Sequence, residues 1–218
     1  MIKKILLYIL SILLLTSFYL IAAENQENSR QLGRRLLEIL MHSEDLDRHG
    51  GCMTQEMADD EVKYNALRLL DAHRAIDVNI EDGEYGWTSL LVALDRNFFE
   101  IANLLLNRGA NIEVRGRAKL TPLMYACIWN NLPFLVRLIN LGADVNALDK
   151  DEETALMHTR NLEIAKLLIQ NGASINHTNI RGHTVLSYFK KEEERLELIK
   201  ISKECSIPRH EQKKNPRK

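Results

Sequence analysis

Thr121-Pro122-Leu123-Met124-Tyr125-Ala126, followed by Gly142-Ala143-Asp144-Val145-Asn146-Ala147, is the stretch that decides the fold. Variants of the first phrase stand at Thr88-Ser89-Leu90-Leu91, Thr154-Ala155-Leu156-Met157 and Thr184-Val185-Leu186-Ser187, so the threonines at 88, 121, 154 and 184 are spaced by 33, 33 and 30 residues. The second phrase recurs in step, as Gly109-Ala110-Asn111-Ile112-Glu113 and Gly172-Ala173-Ser174-Ile175-Asn176. Two independent phrases locked in phase at one period are the signature of a repeat architecture.

Each unit reads physically. The threonine opens a short helix as its N-cap, and Pro122 takes the first helical position, where a missing N–H costs nothing. A leucine and a small residue follow at helical spacing, Leu90 with Ala93 and Leu123 with Ala126, which lets neighbouring helices approach closely. A second helix carries Ile101, Leu105 and Leu106 in one unit, Phe134, Leu138 and Ile139 in the next, and Ile164, Leu168 and Ile169 in the third. Gly109, Gly142 and Gly172 stop that helix, because glycine reaches a left-handed C-cap cheaply. A polar turn then leads back to the next threonine. Two short helices and a turn cannot bury their own apolar face, so the units must stack.

These residues closely resemble the ankyrin repeat family, whose repeat the Thr121–Ala126 and Gly142–Ala147 phrases nearly reproduce. The resemblance covers Gly86 to about Gly182 and implies an all-α solenoid of stacked helix pairs with projecting β-turn or hairpin loops. Upstream, Ala66-Leu67-Arg68-Leu69-Leu70 and Ile76-Asp77-Val78-Asn79 resemble the end of a degenerate first repeat, and Thr184 to Cys205 resembles a C-terminal cap. Two departures carry consequences. The histidine usual in the family after Thr-Pro-Leu is Leu91, Met124, Met157 or Ser187, so apolar packing must replace its hydrogen bonds. From Thr154 to Gly172 there are 18 residues where the other units have 21, which predicts a shortened first helix around His158 to Asn161 and a local change of stacking.

Outside the repeats, Lys3 and Lys4 precede an apolar run from Ile5 to Ala23, and the chain turns polar at Glu24. That pattern predicts export. Residues 1–23 are either a cleaved signal peptide or a retained membrane anchor; both place the two lysines in the cytoplasm and the rest across the membrane. Residues 24–53 form a linker and a capping helix carrying Leu32, Leu36, Ile39 and Leu40; 54–206 are the repeats; 207–218 are a basic disordered tail. The expected setting is that of an exported bacterial protein, periplasmic or secreted if the signal is cleaved and otherwise held in the inner membrane with the repeats outside the cytoplasm.

With 29 Lys and Arg against 30 Asp and Glu, the formal net charge of -1 gives no overall field that favours nucleic acid. Cys52, Cys127 and Cys205 are too few for a disulfide framework or a zinc site; Cys127 reads as a core residue, and a Cys52 to Cys205 bridge stays open. No phosphate loop, His-Glu-x-x-His or nucleophile elbow occurs. His49-Gly50-Gly51-Cys52 has no base beside it. Asp149-Lys150-Asp151-Glu152-Glu153 lacks the glycine of a calcium loop and has Arg160 at the twelfth position, so it reads as a solvated turn. Asn176-His177-Thr178 is a glycosylation sequon in a tight turn.

The expected function is therefore non-catalytic binding of an unidentified protein partner by a monomer, with no cofactor, no metal, no nucleic acid, and membrane contact only through an uncleaved N-terminal segment. A structural, assembly or protective role at the cell envelope is the alternative. The resemblance implies a concave binding side lined by the turn residues before each threonine and the end of each first helix. In this chain those are Glu84, Tyr85, Trp87, Asp95 and Arg96; Arg117, Leu120, Ile128 and Trp129; Lys150, Asp151 and Glu153; Arg181 and His183. Trp, Tyr and Arg dominate interface energies, and both tryptophans of the chain fall in this set. The competing reading folds Trp87 and Trp129 back over gaps left by the absent histidines.

Overall fold

The computed structural model describes residues 26–41, 55–83, 86–116 and 118–206. The apolar N-terminal run, His49–Cys52 and the basic tail lie outside these residues, as do Glu84, Tyr85 and Arg117. Among the described residues the chain is helical with no β-strand, and no helix is long and apolar enough to cross a membrane. It divides into two compact units, residues 1–82 and 83–218.

In the first unit, α1 (residues 26–41) buries Leu36, Leu37 and Leu40, α2 (Gln55–Ala72) buries Val62, Ala66 and Leu70, and Ile76 and Val78 are buried in the segment that follows. Segment 76–80 runs against α1, with Asp77 N donating to Ser29 O at 3.2 Å. A Cβ added at Gly33 would lie 2.1 Å from the Asp77 carbonyl oxygen, so this crossing requires glycine. Asn79 N donates to Asp77 Oδ1, the same Asx turn that Glu113 makes with Asn111 and Asn146 with Asp144. The degenerate phrase at 76–79 thus shares local geometry with the clear repeats.

The second unit contains the helix pairs α3 (Ser89–Asp95) with α4 (Phe99–Asn107), α5 (Pro122–Ile128) with α6 (Leu132–Asn140), and α7 (Ala155–His158) with α8 (Leu162–Gln170). A 3-10 helix, η1 (Val185–Tyr188), and α9 (Glu192–Ser206) follow. First helices pack on first helices, α3 on α5, α5 on α7 and α7 on η1, while α8 packs on α9. The predicted leucines are buried, and so are Leu91, Met124 and Met157 at the positions of the absent histidines. Apolar packing does replace those hydrogen bonds, and only Ser187 at that register is exposed.

Second helices end as expected: Gly109, Gly142 and Gly172 have φ of 81°, 89° and 94°, and the following Ala110, Ala143 and Ala173 donate back to Leu105, Leu138 and Leu168. Side chains stitch successive loops, since Glu113 accepts from Asp144 N and Asn146 accepts from Ser174 N, each at 2.9 Å. Arg137 bridges α6 to α4 through Asn103 and Asn107, at 2.6 and 2.7 Å.

First helices come in two lengths. α3 and α5 have seven residues, and α7 and η1 have four. The three-residue deletion therefore falls on the first helix, and it recurs in the last unit, whose second helix starts eight residues after Thr184, as α8 does after Thr154. In the long helices Leu91 N and Met124 N donate to Thr88 Oγ1 and Thr121 Oγ1. In the short ones the corresponding amides, of Met157 and Ser187, donate instead to the threonine carbonyl in a 3-10 pattern. Thr154 Oγ1 is left buried without a hydrogen-bond partner.

Candidate interaction face

The turns before each threonine and the first helices they enter are joined by polar side chains at fixed register. Four residues after the threonines stand Tyr125, His158 and Tyr188. Tyr125 Oη lies 3.3 Å from Asp95 Oδ1 at the end of α3. Burial, and then the Asp95 charge, pushes the Tyr125 phenol well above its ordinary pKa. His158 Nε2 lies 2.9 Å from Asp149 Oδ2. Tyr188 Oη donates to Glu153 Oε1, which also accepts from Asn179 Nδ2 at 2.7 Å. Burial and the Glu153 carboxylate push this phenol up to about 12, against the opposing pull of Arg160 and Arg181.

Asp149 corrects the reading of 149–153 as a solvated turn. Its side chain is buried, and Oδ1 accepts from the backbone of Asp151 and Glu153, each at 2.8 Å. Asn179 does the same work thirty residues later for Arg181 N and His183 N, each at 3.0 Å. Both stand five residues before their threonine, where Gly83 and Gly116 stand in the earlier units. Where glycine gives way to Asp or Asn, a side chain closes the turn. Lys150 and Glu152, by contrast, are exposed as expected.

Two residues before the threonines, Gly86, Lys119, Glu152 and Gly182 all adopt positive φ, between 57° and 74°. Lys119 and Glu152 hold this left-handed conformation without the glycine that makes it cheap. Neighbouring turns are joined by Lys150 N to Ala118 O and Ile180 N to Asp151 O, at 3.0 and 3.2 Å.

Of the expected binding residues, Asp95, Ile128, Trp129, Lys150, Arg181 and His183 are exposed, and Trp87, Arg96, Leu120, Asp151 and Glu153 are half-buried. Trp129 is 43 % exposed at the C-cap of α5 and Ile128 beside it is 45 % exposed, so this indole does not fill a core gap. Trp87 is half-buried, more enclosed than Trp129. Sequence reasoning missed Arg160 and Tyr188: the Arg160 guanidinium lies 4.4 Å above the Tyr188 ring and donates to the carbonyls of Met157 and Thr159, which the short helix leaves free.

Asp149, Glu153 and His158 bring ligand atoms within 4.8 Å of one another, a set that could hold a metal ion. The chemistry of the donors argues for hydrogen bonding instead: Asp149 Oδ1 is taken by two backbone amides, Oδ2 faces His158 Nε2, and Glu153 Oε1 faces Tyr188 and Asn179. Cys127 is a core thiol whose pKa burial raises, and Cys205 is exposed; Cys52, its possible disulfide partner, lies outside the described residues.

Comparison with known proteins places this arrangement. Residues 85–117 match the family pattern described as ankyrin repeat, and residues 116–179 the one described as ankyrin repeats (3 copies). Ankyrin repeat and SOCS box protein 6 of Pongo abelii is 38% identical over 133 residues, covering 56% of this chain and 31% of that protein. An ankyrin repeat protein of fowlpox virus, FPV223, is 30% identical over 131 residues, covering 58% of this chain and 90% of the viral protein. Neurogenic locus notch homolog protein 1 of Homo sapiens is 34% identical over 125 residues, 56% of this chain and 5% of that protein. The chain thus spans about a third or less of the mammalian relatives and nearly all of the viral one. Repeat phrases, helix pairs and relatives agree, and the chain belongs to the ankyrin repeat family.

Proposed function

We propose that this chain is a non-catalytic protein-binding module that holds its partner on the face built from the turns and the first-helix ends of residues 86–191. Ankyrin repeats generally mediate protein–protein interaction, and a fold by itself does not name a partner. The observation that carries the reading is the exposed Ile128–Trp129 pair; elsewhere along the expected face Lys150 and Arg181 are exposed and Lys119 and Glu152 are held in left-handed turn tips. A large aromatic left open on a face that also carries exposed arginine has the composition of an interface anchor. The carboxylates and the imidazole gathered here, Asp149, Glu153 and His158, are engaged by hydrogen bonds within the face, which supports binding over chemistry.

A photocrosslinking residue placed at 129 in the native host tests this. Adducts from position 129, with none from position 136 on the exposed side of α6, are the expected result. Equal adducts from both, or none from 129, would overturn the assignment. We place the module outside the cytoplasm on the strength of Lys3, Lys4 and the apolar run that follows them. A reporter active only outside the cytoplasm, fused after Lys218, should be active; an inactive reporter removes the export reading and leaves the binding face untouched.

A further inference from the structure

The short-helix end of this face differs chemically from the long-helix end. Arg160 donates from one nitrogen to two carbonyls, and the rest of its guanidinium has no protein acceptor among the described residues. The Arg181 side chain is exposed on the next turn, which is held beside the 149–153 turn by Ile180 N donating to Asp151 O at 3.2 Å. The carboxylate at the centre, Glu153, is turned into Tyr188 and Asn179, and neither arginine forms an ion pair with it. One loop away, Asn161 Nδ2 donates to Asn130 Oδ1 at 2.7 Å, which fixes the loop of Arg160 beside the loop of Trp129. An open apolar anchor thus adjoins the loop of Arg160, whose guanidinium is stacked on Tyr188, and Arg181 stands exposed on the following turn; neither arginine has a carboxylate partner among the described residues.

We propose that the partner segment seated here is an acidic peptide with an apolar side chain, its carboxylates on Arg160 and Arg181 and its apolar group on Trp129 and Ile128. The proposal rests on the binding face assigned above and adds the chemistry of its occupant. Charge complementarity selects the sign, and the guanidinium fork suits a carboxylate. A nucleic-acid strand fits less well. A strand carries a charge at every nucleotide and would set phosphates against Asp95, Asp151 and Glu152, whereas a peptide can place its carboxylates at the two arginines alone.

The test uses the purified full-length chain in detergent and three fluorescein-labelled probes: a twelve-residue peptide of Glu and Leu, its Lys and Leu counterpart, and a twelve-nucleotide oligothymidylate. Anisotropy should show the acidic peptide bound at least tenfold more tightly than the other two, with affinity falling as salt rises. Trp129→Ala and Arg181→Glu should each weaken it at least fivefold, while Lys200→Glu on α9 should leave it unchanged. Arg160 also caps two carbonyls, so the exposed Arg181 carries the charge test, and unchanged thermal melting confirms that the variant is folded. Preference for the lysine peptide, tighter binding of oligothymidylate, or indifference to Arg181→Glu each overturns the proposal. If crosslinking at position 129 captures a partner while the acidic peptide fails, only the chemistry assigned here falls; if crosslinking fails as well, the face itself was misassigned.

Discussion

Units opened by Thr88 and Thr121 and units opened by Thr154 and Thr184 solve the same packing problem with different first helices. The long pair spends seven residues, closes the N-terminus with a threonine hydroxyl, and buries six side chains in each helix. The short pair spends four, opens with a 3-10 hydrogen bond to the threonine carbonyl, and buries fewer. What the short units lose in helix they replace with polar side chains: Asp149 and Asn179 close the turns, and Arg160 satisfies the carbonyls that a longer helix would have used. A deletion of nearly one turn is thus absorbed locally, because each repeat is held only by its neighbours.

The comparison breaks most sharply at Asp149. Asp149→Ala removes the acceptor of two backbone amides and the partner of His158, and should cost about 3 kcal/mol in the short-helix region. Hydrogen exchange should then show residues 154–206 opening while α3 to α6 keep their protection. Uniform loss across the second unit would mean that the units are not separable.

N-caps sharpen it next. Thr121→Ala should destabilise by about 1 kcal/mol, as the loss of a working cap does. Thr154→Val replaces an unpartnered buried hydroxyl by a methyl of the same shape and should fall within about 0.5 kcal/mol of the parent, read by urea denaturation. An equal cost at both sites would show that the two caps work alike.

Turn tips should not discriminate between the units. Lys119→Gly precedes a long helix and Glu152→Gly a short one, and each relieves a left-handed non-glycine residue, so both should gain about 0.5 kcal/mol. Unequal gains would tie tip strain to helix length. The smallest effect concerns alkali. The Tyr188 phenol is raised in the fold, from 10.0 to about 12, so its contribution is complete below pH 10 and is lost as pH climbs through about 12. Tyr188→Phe should flatten that part of the stability profile, followed by circular dichroism.

Period, caps and helix stops were legible because local chemistry fixes them: threonine accepts from an N-terminal amide, and glycine tolerates the positive φ that ends a helix. The shortened helix at 155–158 was legible from spacing alone, although its repetition at 185–188 was not read off the same eight-residue interval. Asp149 was misread because a run of five charged residues looks solvated, and burial of one of them depends on a turn that folds around it. Its register, five residues before a threonine and matched by Asn179, was the available signal. Arg160 and Tyr188 escaped because the cation–π stack joins adjacent repeats, and the spacing of 28 residues between them has no meaning until the deletion is placed in the first helix.

The loop ladder from Glu113 to Asp144 and from Asn146 to Ser174 has a mechanical consequence. Under tension applied from the C-terminal side, each loop is anchored to the one before it, so a unit should let go as a whole. A residue adds about 3.5 Å when drawn out. Repeats of 33 and 30 residues would therefore lengthen the chain by steps that differ by about 10 Å. Pulled in an optical trap, the molecule should yield first in the smaller increment, where a rivet of side chains replaces a turn of helix, and then in the larger.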